Sequence, residues 1–167
     1  MKTLQVHSGS PEATRGIGRT LGEHCQPGDL ILLVGDLGTG KTTLTQGIAQ
    51  GLGVKQPARS PTFVLVAQYT GRLTLFHADL YRVNDPLEAL ELGLDESERG
   101  TGVCVVEWAE RAPDAFSDEH LQVRITSEAE DSRLVTLLAR GARYEALLQA
   151  AAQSLGALHR SEETRQR

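Results

Sequence analysis

One eight-residue segment constrains this chain more than any other feature. It reads Gly35-Asp36-Leu37-Gly38-Thr39-Gly40-Lys41-Thr42 and matches the phosphate-loop pattern G-x-x-x-x-G-K-[ST] at every fixed position. The glycines allow backbone N–H groups to turn towards phosphate oxygens, where a Cβ would obstruct them. Lys41 has the reach to bind the β- and γ-phosphates, and the Thr42 hydroxyl is a suitable Mg²⁺ ligand. The segment therefore predicts a site for a nucleoside triphosphate with Mg²⁺.

The sequence on either side fits the same prediction. Residues 30–34 form a continuous apolar run, as expected of a strand buried on both faces of a parallel sheet. Helix-forming residues follow the loop as far as about Leu52, and the positive N-terminal end of that helix would face the phosphates. Strand, loop and helix thus occur in the order that a phosphate loop requires, which disfavours a plain glycine-rich turn.

The remaining patterns predict an α/β fold. A helix is expected to begin at Ser10, with Pro11 in its first turn. Further strands are expected over 63–69, 73–77, 103–106, 121–125 and 133–138, and further helices over 85–94 and 144–158. We therefore expect a P-loop NTPase-like three-layer sandwich. Its central sheet would be mostly parallel, with antiparallel edge strands and a C-terminal helix.

Length and composition favour one soluble domain. The chain has 167 residues, of which 40% are hydrophobic and 23% charged, and its net charge is −5. We expect one ATPase domain over residues 1–159 and a disordered charged tail over 160–167. No global basic field would attract nucleic acid, and no segment is apolar enough to span a membrane. Because Cys25 and Cys104 also lack metal-ligand spacing, these observations favour a reduced cytoplasmic location.

Two acids compete to complete the Mg²⁺ site, which usually takes a carboxylate at the end of an adjacent apolar strand. Asp79 follows the strand 73–77, and Glu107 follows the run 103–106. The run 103–106 is more uniformly apolar than the strand 73–77 and ends directly at its acid, which favours Glu107 as the Mg²⁺ ligand. Asp79 could orient the attacking water or hold Mg²⁺ through water, or it could cap the turn that follows. Which of the two ligates Mg²⁺ directly stays open.

Other residues are weaker candidates. Thr62 could sense the γ-phosphate or lie in a plain proline-containing connection. His77 could orient Asp79, although a purely structural histidine is more common at such a position. Trp108 could contact a partner or pack at the sheet edge. Three arginines could clamp phosphate, although surface roles are commoner: Arg82, Arg111 and Arg133. The Asn-Lys-x-Asp pattern of a guanine site does not occur, so ATP is favoured over GTP.

Four motifs stand in a fixed order along the chain. They are Gly-Asp-Leu-Gly-Thr-Gly-Lys-Thr-Thr (35–43), Ser-Pro-Thr-Phe (60–63), His-Ala-Asp-Leu-Tyr-Arg (77–82) and Val-Glu-Trp (106–108). Over about residues 4–140 they closely resemble the TsaE family, also called YjeE. The resemblance implies a slow ATPase required for tRNA threonylcarbamoyladenosine biosynthesis. It also implies two partners, TsaD and TsaB, which modify the adenosine beside the anticodon. The ATPase would reset their complex and meet tRNA indirectly or within that complex.

The resemblance also implies roles for single residues. Lys41 would bind phosphate, Thr42 and Glu107 would hold Mg²⁺, and Asp79 would support hydrolysis at the metal. Trp108 would lie near the site, and the segment from Ser10 to Thr14 near the base or ribose. The residues expected to bind ATP are Gly35, Asp36, Leu37, Gly38, Thr39, Gly40, Lys41, Thr42, Thr43, Thr14, Thr62 in a nucleotide-sensing loop, and Arg133.

Two other interpretations of the phosphate loop stay open. A small-molecule or nucleotide kinase would need an acceptor pocket and usually an arginine-bearing lid. Residues 82–100 are mainly acidic, which makes them a poor lid over phosphate. A binding module without activity would hold ATP as a structural ligand only, and the paired acids Asp79 and Glu107 argue against it. A screen for phosphorylated product would separate the kinase from the ATPase.

Overall fold

A seven-stranded sheet with the order β1-β7-β6-β2-β5-β4-β3 forms the centre of the protein. The computed structural model describes residues 1–61, 65–94 and 100–165, without the side chains of 157–165. The strands are β1 (Lys2–Ser8), β2 (Leu30–Val34), β3 (Val66–Tyr69), β4 (Thr74–Asp79), β5 (Gly102–Glu107), β6 (His120–Ser127) and β7 (Arg133–Arg140). The helices are α1 (Pro11–His24), α2 (Lys41–Gly51), α3 (Pro86–Leu90) and α4 (Ala142–Arg165), with 3₁₀ turns at Ala109–Arg111 and Pro113–Ala115.

The central strands run parallel and the outer strands antiparallel. β6, β2, β5 and β4 form the parallel part, while β1 and β7 on one side and β3 on the other pair antiparallel. Every residue of β5 is buried, as are the first four of β2, which explains why both sequences are almost wholly apolar. The expected parallel sheet with antiparallel edges is confirmed.

Side chains that alternate along the strands form two cores, one on each face of the sheet. On β2, Ile31 and Leu33 face the core formed with α1, α2 and α4. Leu30 and Leu32 face a smaller core that α3 and the two 3₁₀ turns cover. The three expected layers are therefore present, with a thin layer on the second face. No helix among the described residues combines the length and apolarity needed to cross a membrane.

α1 and α2 pack backbone against backbone. A Cβ added to Gly18 of α1 would lie 2.2 Å from the Leu44 carbonyl oxygen, and one added to Gly47 of α2 would lie 2.1 Å from the Arg15 carbonyl oxygen. Real Cβ atoms do not approach backbone so closely, so these positions require glycine. Because α2 begins directly at Lys41, this contact fixes the phosphate-loop helix against α1.

Several element boundaries differ from those expected. β1 is not predicted by the sequence, because only Leu4 and Val6 alternate among its polar residues. β4 continues to Asp79, so this acid lies within the strand rather than after it. The last helix continues to Arg165, beyond its expected end at Leu158. The single domain and the disorder expected over 160–167 stay predictions, and the first residues of the strand expected over 63–69 lie outside the described residues.

Candidate functional site

The loop between β2 and α2 has the conformation that its glycines allow. Gly38 and Gly40 have φ values of 77° and 109°, which side chains with a Cβ rarely adopt. The Thr39 hydroxyl donates a hydrogen bond of 2.9 Å to the Asp36 carbonyl oxygen and closes the turn. Because Gly40 is its N-cap, α2 has no capping side chain of its own, and its first N–H groups can face an anion.

The Lys41 ammonium is held inside the mouth of this loop. Nζ donates to the carbonyl oxygens of Gly35 at 2.6 Å and Asp36 at 2.8 Å, and only 5% of the residue is exposed. Burial lowers the pKa of Lys41, while the nearby acids, Glu107 foremost, act in the opposite direction. The charge is therefore bound to neutral carbonyls at the position where a phosphate would provide a stronger partner.

Glu107 lies at the end of β5, where it meets the first turn of α2. The Thr42 hydroxyl donates to Oε1 of Glu107 at 2.9 Å. Nε2 of the fully buried His77 lies 2.5 Å from Oε2 of the same carboxylate. Of the two roles considered for His77, the structure does not show the contact with Asp79, because the imidazole contacts Glu107. His77 and Asp79 stand on the same face of one strand, and the imidazole reaches across to β5 instead.

Asp79 lies beside Glu107 because the two are paired in the register of β4 and β5. Its Oδ1 accepts the Tyr81 N–H at 2.9 Å, while its Oδ2 accepts the Ser60 hydroxyl. The turn-capping role considered for Asp79 is therefore present in the structure, and its role towards water or Mg²⁺ stays a prediction. Ser60 was not among the candidates from the sequence, although it opens the motif Ser-Pro-Thr-Phe. Thr62 of the same motif lies outside the described residues.

These groups line a cavity of about 410 Å³ in front of the loop. Its lining residues are Leu37, Gly38, Gly40, Lys41, Thr42, Thr43, Ser60, Asp79, Tyr81, Glu107 and Trp108. Carboxylate and hydroxyl oxygens are the donors that Mg²⁺ prefers, so Thr42, Asp79 and Glu107 together fit a hard divalent cation. Within the described residues the one basic side chain with an ion-pair contact to either carboxylate is His77, which lies beside Glu107.

A smaller cavity of about 140 Å³ lies on the other side of the same loop. It is lined by Ser10, Pro11, Thr14, Gly38, Thr39, Gly40, Thr43, Asp131 and Arg133. Thr14 is buried and shares a hydrogen bond of 2.7 Å with Ser8, while Nε of Arg133 donates to the Thr39 carbonyl oxygen at 3.1 Å. The segment 10–14 and Arg133 are thus brought together beside the loop. Asp131 was not singled out from the sequence, because it lies in a polar turn without a motif.

Trp108 covers the phosphate-loop lysine from above. Its ring centroid is 3.9 Å from Lys41 Nζ, and the Tyr81 ring lies 4.9 Å from it in a tilted arrangement. The Arg111 guanidinium is 5.3 Å from the Tyr81 ring centroid. Trp108 is the one non-glycine residue with positive φ, 58°, in the part of the chain that the structure describes. Strain of this kind often marks functional sites, since only surrounding contacts can hold it.

Comparison with known proteins agrees with these features. A family model described as "Threonylcarbamoyl adenosine biosynthesis protein TsaE" matches residues 8–135, which contain the loop, both acids, Trp108 and Arg133. The chain belongs to the TsaE family. The resemblance seen in the four motifs is therefore confirmed over most of the chain.

Relatives that carry the TsaE name match this chain at substantial identity. The tRNA threonylcarbamoyladenosine biosynthesis protein TsaE of Bacillus subtilis is 44% identical over 148 residues, covering 88% of this chain and 92% of the relative. The protein of the same name from Nostoc is 45% identical over 127 residues, covering 73% and 77%. The crystal structure of Bacillus subtilis YdiB superposes with a TM-score of 0.79 at 38% identity, covering 92% and 96%.

Proposed function

We propose that this TsaE-family protein binds Mg²⁺–ATP and hydrolyses it slowly on its own, as an accessory ATPase in the threonylcarbamoyladenosine modification of tRNA. The observation that carries the proposal is the hydrogen bond of 2.9 Å from Thr42 to Glu107. It joins the last fixed residue of the phosphate-loop pattern to an acid at the end of the neighbouring parallel strand. P-loop NTPases hold Mg²⁺ with the loop Ser or Thr and a strand-end carboxylate, usually an Asp, whose place Glu107 would take here.

Each residue of the site would have a separate role, which its position determines. Phosphoryl transfer needs mainly positioning and charge stabilisation from a protein. The Lys41 ammonium would exchange its two loop carbonyls for phosphate oxygens, and the first N–H groups of α2 would bind the same phosphates. When bound, Mg²⁺ supplies charge neutralisation at the phosphate oxygens. Thr42 and Glu107 would hold it, and Asp79, one strand away, would orient the attacking water.

Slow turnover without a partner is consistent with an open site. Leu37 and Tyr81 both line the front cavity, and they are 75% and 44% exposed. A protein that covered these side chains would exclude water from the phosphates and strengthen the electrostatic interactions there. We propose TsaB and TsaD as that partner pair, on the basis of family membership. We also propose a cytoplasmic location, since both cysteines are free and buried.

ATP hydrolysis tests this proposal. Phosphate release would be measured for the chain alone, with its cognate TsaB–TsaD pair, and for Glu107→Ala, with Glu110→Ala as the matched control. Weak activity that rises with the pair and falls only in Glu107→Ala is expected. Equal activity in wild type and Glu107→Ala would refute the ATPase, and transfer of phosphate to a small molecule would identify a kinase instead.

A further inference from the structure

Ser60 connects the two strand-end acids and has no role in the assignments above. Its hydroxyl donates to Oδ2 of Asp79 and lies 3.5 Å from Oε2 of Glu107. Serine hydroxyls near a turn usually bond local backbone groups. Here the hydroxyl instead lies between two carboxylates that line the front cavity.

Each carboxylate is also held by a second group, which sets the direction it faces. Oδ1 of Asp79 is occupied by the Tyr81 N–H at 2.9 Å. His77 Nε2 contacts Oε2 of Glu107 from the buried side at 2.5 Å. The two acids are therefore fixed with their oxygens converging on Ser60, rather than being free to turn towards solvent.

The chain just before Ser60 is fixed as well. The Gln46 side chain of α2 donates to the Ala58 carbonyl oxygen at 3.3 Å. The Tyr69 hydroxyl accepts from the Arg59 N–H at 3.1 Å and donates to the Arg59 carbonyl oxygen at 3.3 Å. The position of the Ser60 hydroxyl is thus set by the phosphate-loop helix and by β3.

We propose, on the basis of the proposed function, that Ser60 is a metal-site residue whose hydroxyl oxygen faces the Mg²⁺ of Mg²⁺–ATP. Together with Thr42, Asp79 and Glu107 it completes a set of oxygen donors without nitrogen or sulfur, as a hard cation requires. The adjacent carboxylates repel each other, which a divalent cation relieves. The Ser60 hydroxyl lies between them and donates a hydrogen bond to Asp79.

The test measures metal binding apart from turnover. Mn²⁺ serves as the probe for the full chain saturated with a non-hydrolysable ATP analogue, and its affinity is read by electron paramagnetic resonance. Removal of groups that hold or orient metal ligands typically weakens metal binding about 10- to 100-fold. We expect Ser60→Ala to weaken Mn²⁺ binding about 10-fold, and Ser60→Thr to restore most of it. Ser60→Cys should shift preference from Mn²⁺ towards Cd²⁺, because thiolate is a softer ligand.

Two controls separate metal binding from structure. Ser154→Ala removes a hydroxyl that bonds His24 elsewhere on the protein and should leave Mn²⁺ affinity unchanged. Affinity for the nucleotide analogue in EDTA should be the same in wild type and Ser60→Ala. Wild-type Mn²⁺ affinity in Ser60→Ala would overturn the assignment. Equal loss of nucleotide affinity with and without metal would overturn it too, since the residue would then act through structure alone.

The same titration separates this inference from the proposed function. If the wild-type chain binds neither the ATP analogue nor Mn²⁺ in its presence, the proposed function fails and Ser60 has no metal to face. If the wild type binds both and Ser60→Ala matches it, the ATPase proposal stands and the assignment of Ser60 is wrong.

Discussion

The Lys41 ammonium lies 3.9 Å from the centroid of the Trp108 ring while it donates to two carbonyl oxygens of its own loop. Cations over an indole face are attracted by its electron density. Trp108 follows Glu107 directly, so the acid proposed to hold metal and the ring above the lysine proposed to bind phosphate come from consecutive residues. A shift of either side chain on nucleotide binding would therefore move the backbone that positions the other.

Lys41→Ala should weaken binding of a non-hydrolysable ATP analogue by about 10- to 100-fold, because charge-assisted hydrogen bonds contribute about 1.5–3 kcal/mol. The matched control is Lys55→Ala, which removes an exposed ammonium outside the front cavity. Isothermal titration calorimetry gives both affinities. Unchanged affinity in Lys41→Ala would contradict the role of the loop.

Glu107 should control the dependence of hydrolysis on Mg²⁺, whereas Asp79 should control kcat. Glu107→Gln should raise the Mg²⁺ concentration needed for half-maximal hydrolysis by about 10-fold or more, since the carboxylate that meets Thr42 would be lost. Asp79→Asn should instead lower kcat by about 100-fold with less change in Mg²⁺ dependence, if it orients the attacking water. Glu110→Gln is the control for a nearby exposed acid. Full activity in both site variants would exclude this division of roles.

Gly47→Ala should destabilise the protein by about 1–3 kcal/mol, because overpacking forces well-packed backbone apart. The new Cβ would meet the Arg15 carbonyl oxygen at 2.1 Å. Gly16→Ala provides the opposite case in α1, where nothing lies within 4 Å of the added Cβ. It should stabilise the helix by about 0.5–1 kcal/mol through backbone entropy. Urea unfolding gives the free energy of unfolding of both variants. Equal changes in Gly47→Ala and Gly16→Ala would argue against the close contact between α1 and α2.

Stability should fall at alkaline pH in part through Cys25. Burial raises the pKa of the Cys25 thiol from 9.0 to about 12, with the nearby Asp29 acting in the same direction. Between pH 9 and pH 12 the thiol of the unfolded chain loses its proton while the thiol of the folded chain keeps it. The stabilisation that the buried thiol provides is therefore present below pH 9 and is lost as the pH rises towards 12. The slope is at most about 1.4 kcal/mol per pH unit. The difference in unfolding free energy between wild type and Cys25→Ala should be constant from pH 6 to 8 and shrink above pH 9.

Much of the site could be predicted because its residues stand in regular positions. A glycine-rich loop between a buried strand and a helix can be recognised from the sequence alone. Glu107 can be recognised as well, because it ends a run of buried residues. Position along a parallel sheet then implies that the acid lies near the loop.

The contacts that sequence did not reveal depend on long-range geometry. Ser60 reaches the acids only because Gln46 and Tyr69 hold the loop before it. The partner of His77 depends on which neighbouring strand carries a carboxylate near it in the strand register. β1 has too few apolar residues to be recognised as a strand. None of these relationships has a local pattern.

Asp79 and Glu107 meet in only one alignment of β4 and β5. Because successive side chains point to opposite faces, a slip of β4 by one residue would turn both His77 and Asp79 away from α2 and towards the second core. Glu107 would then lose its buried partner, and a charged group would enter an apolar layer. An error in strand pairing would thus cost this protein its stability and its chemistry at once, so selection for a well-formed core also preserves the site.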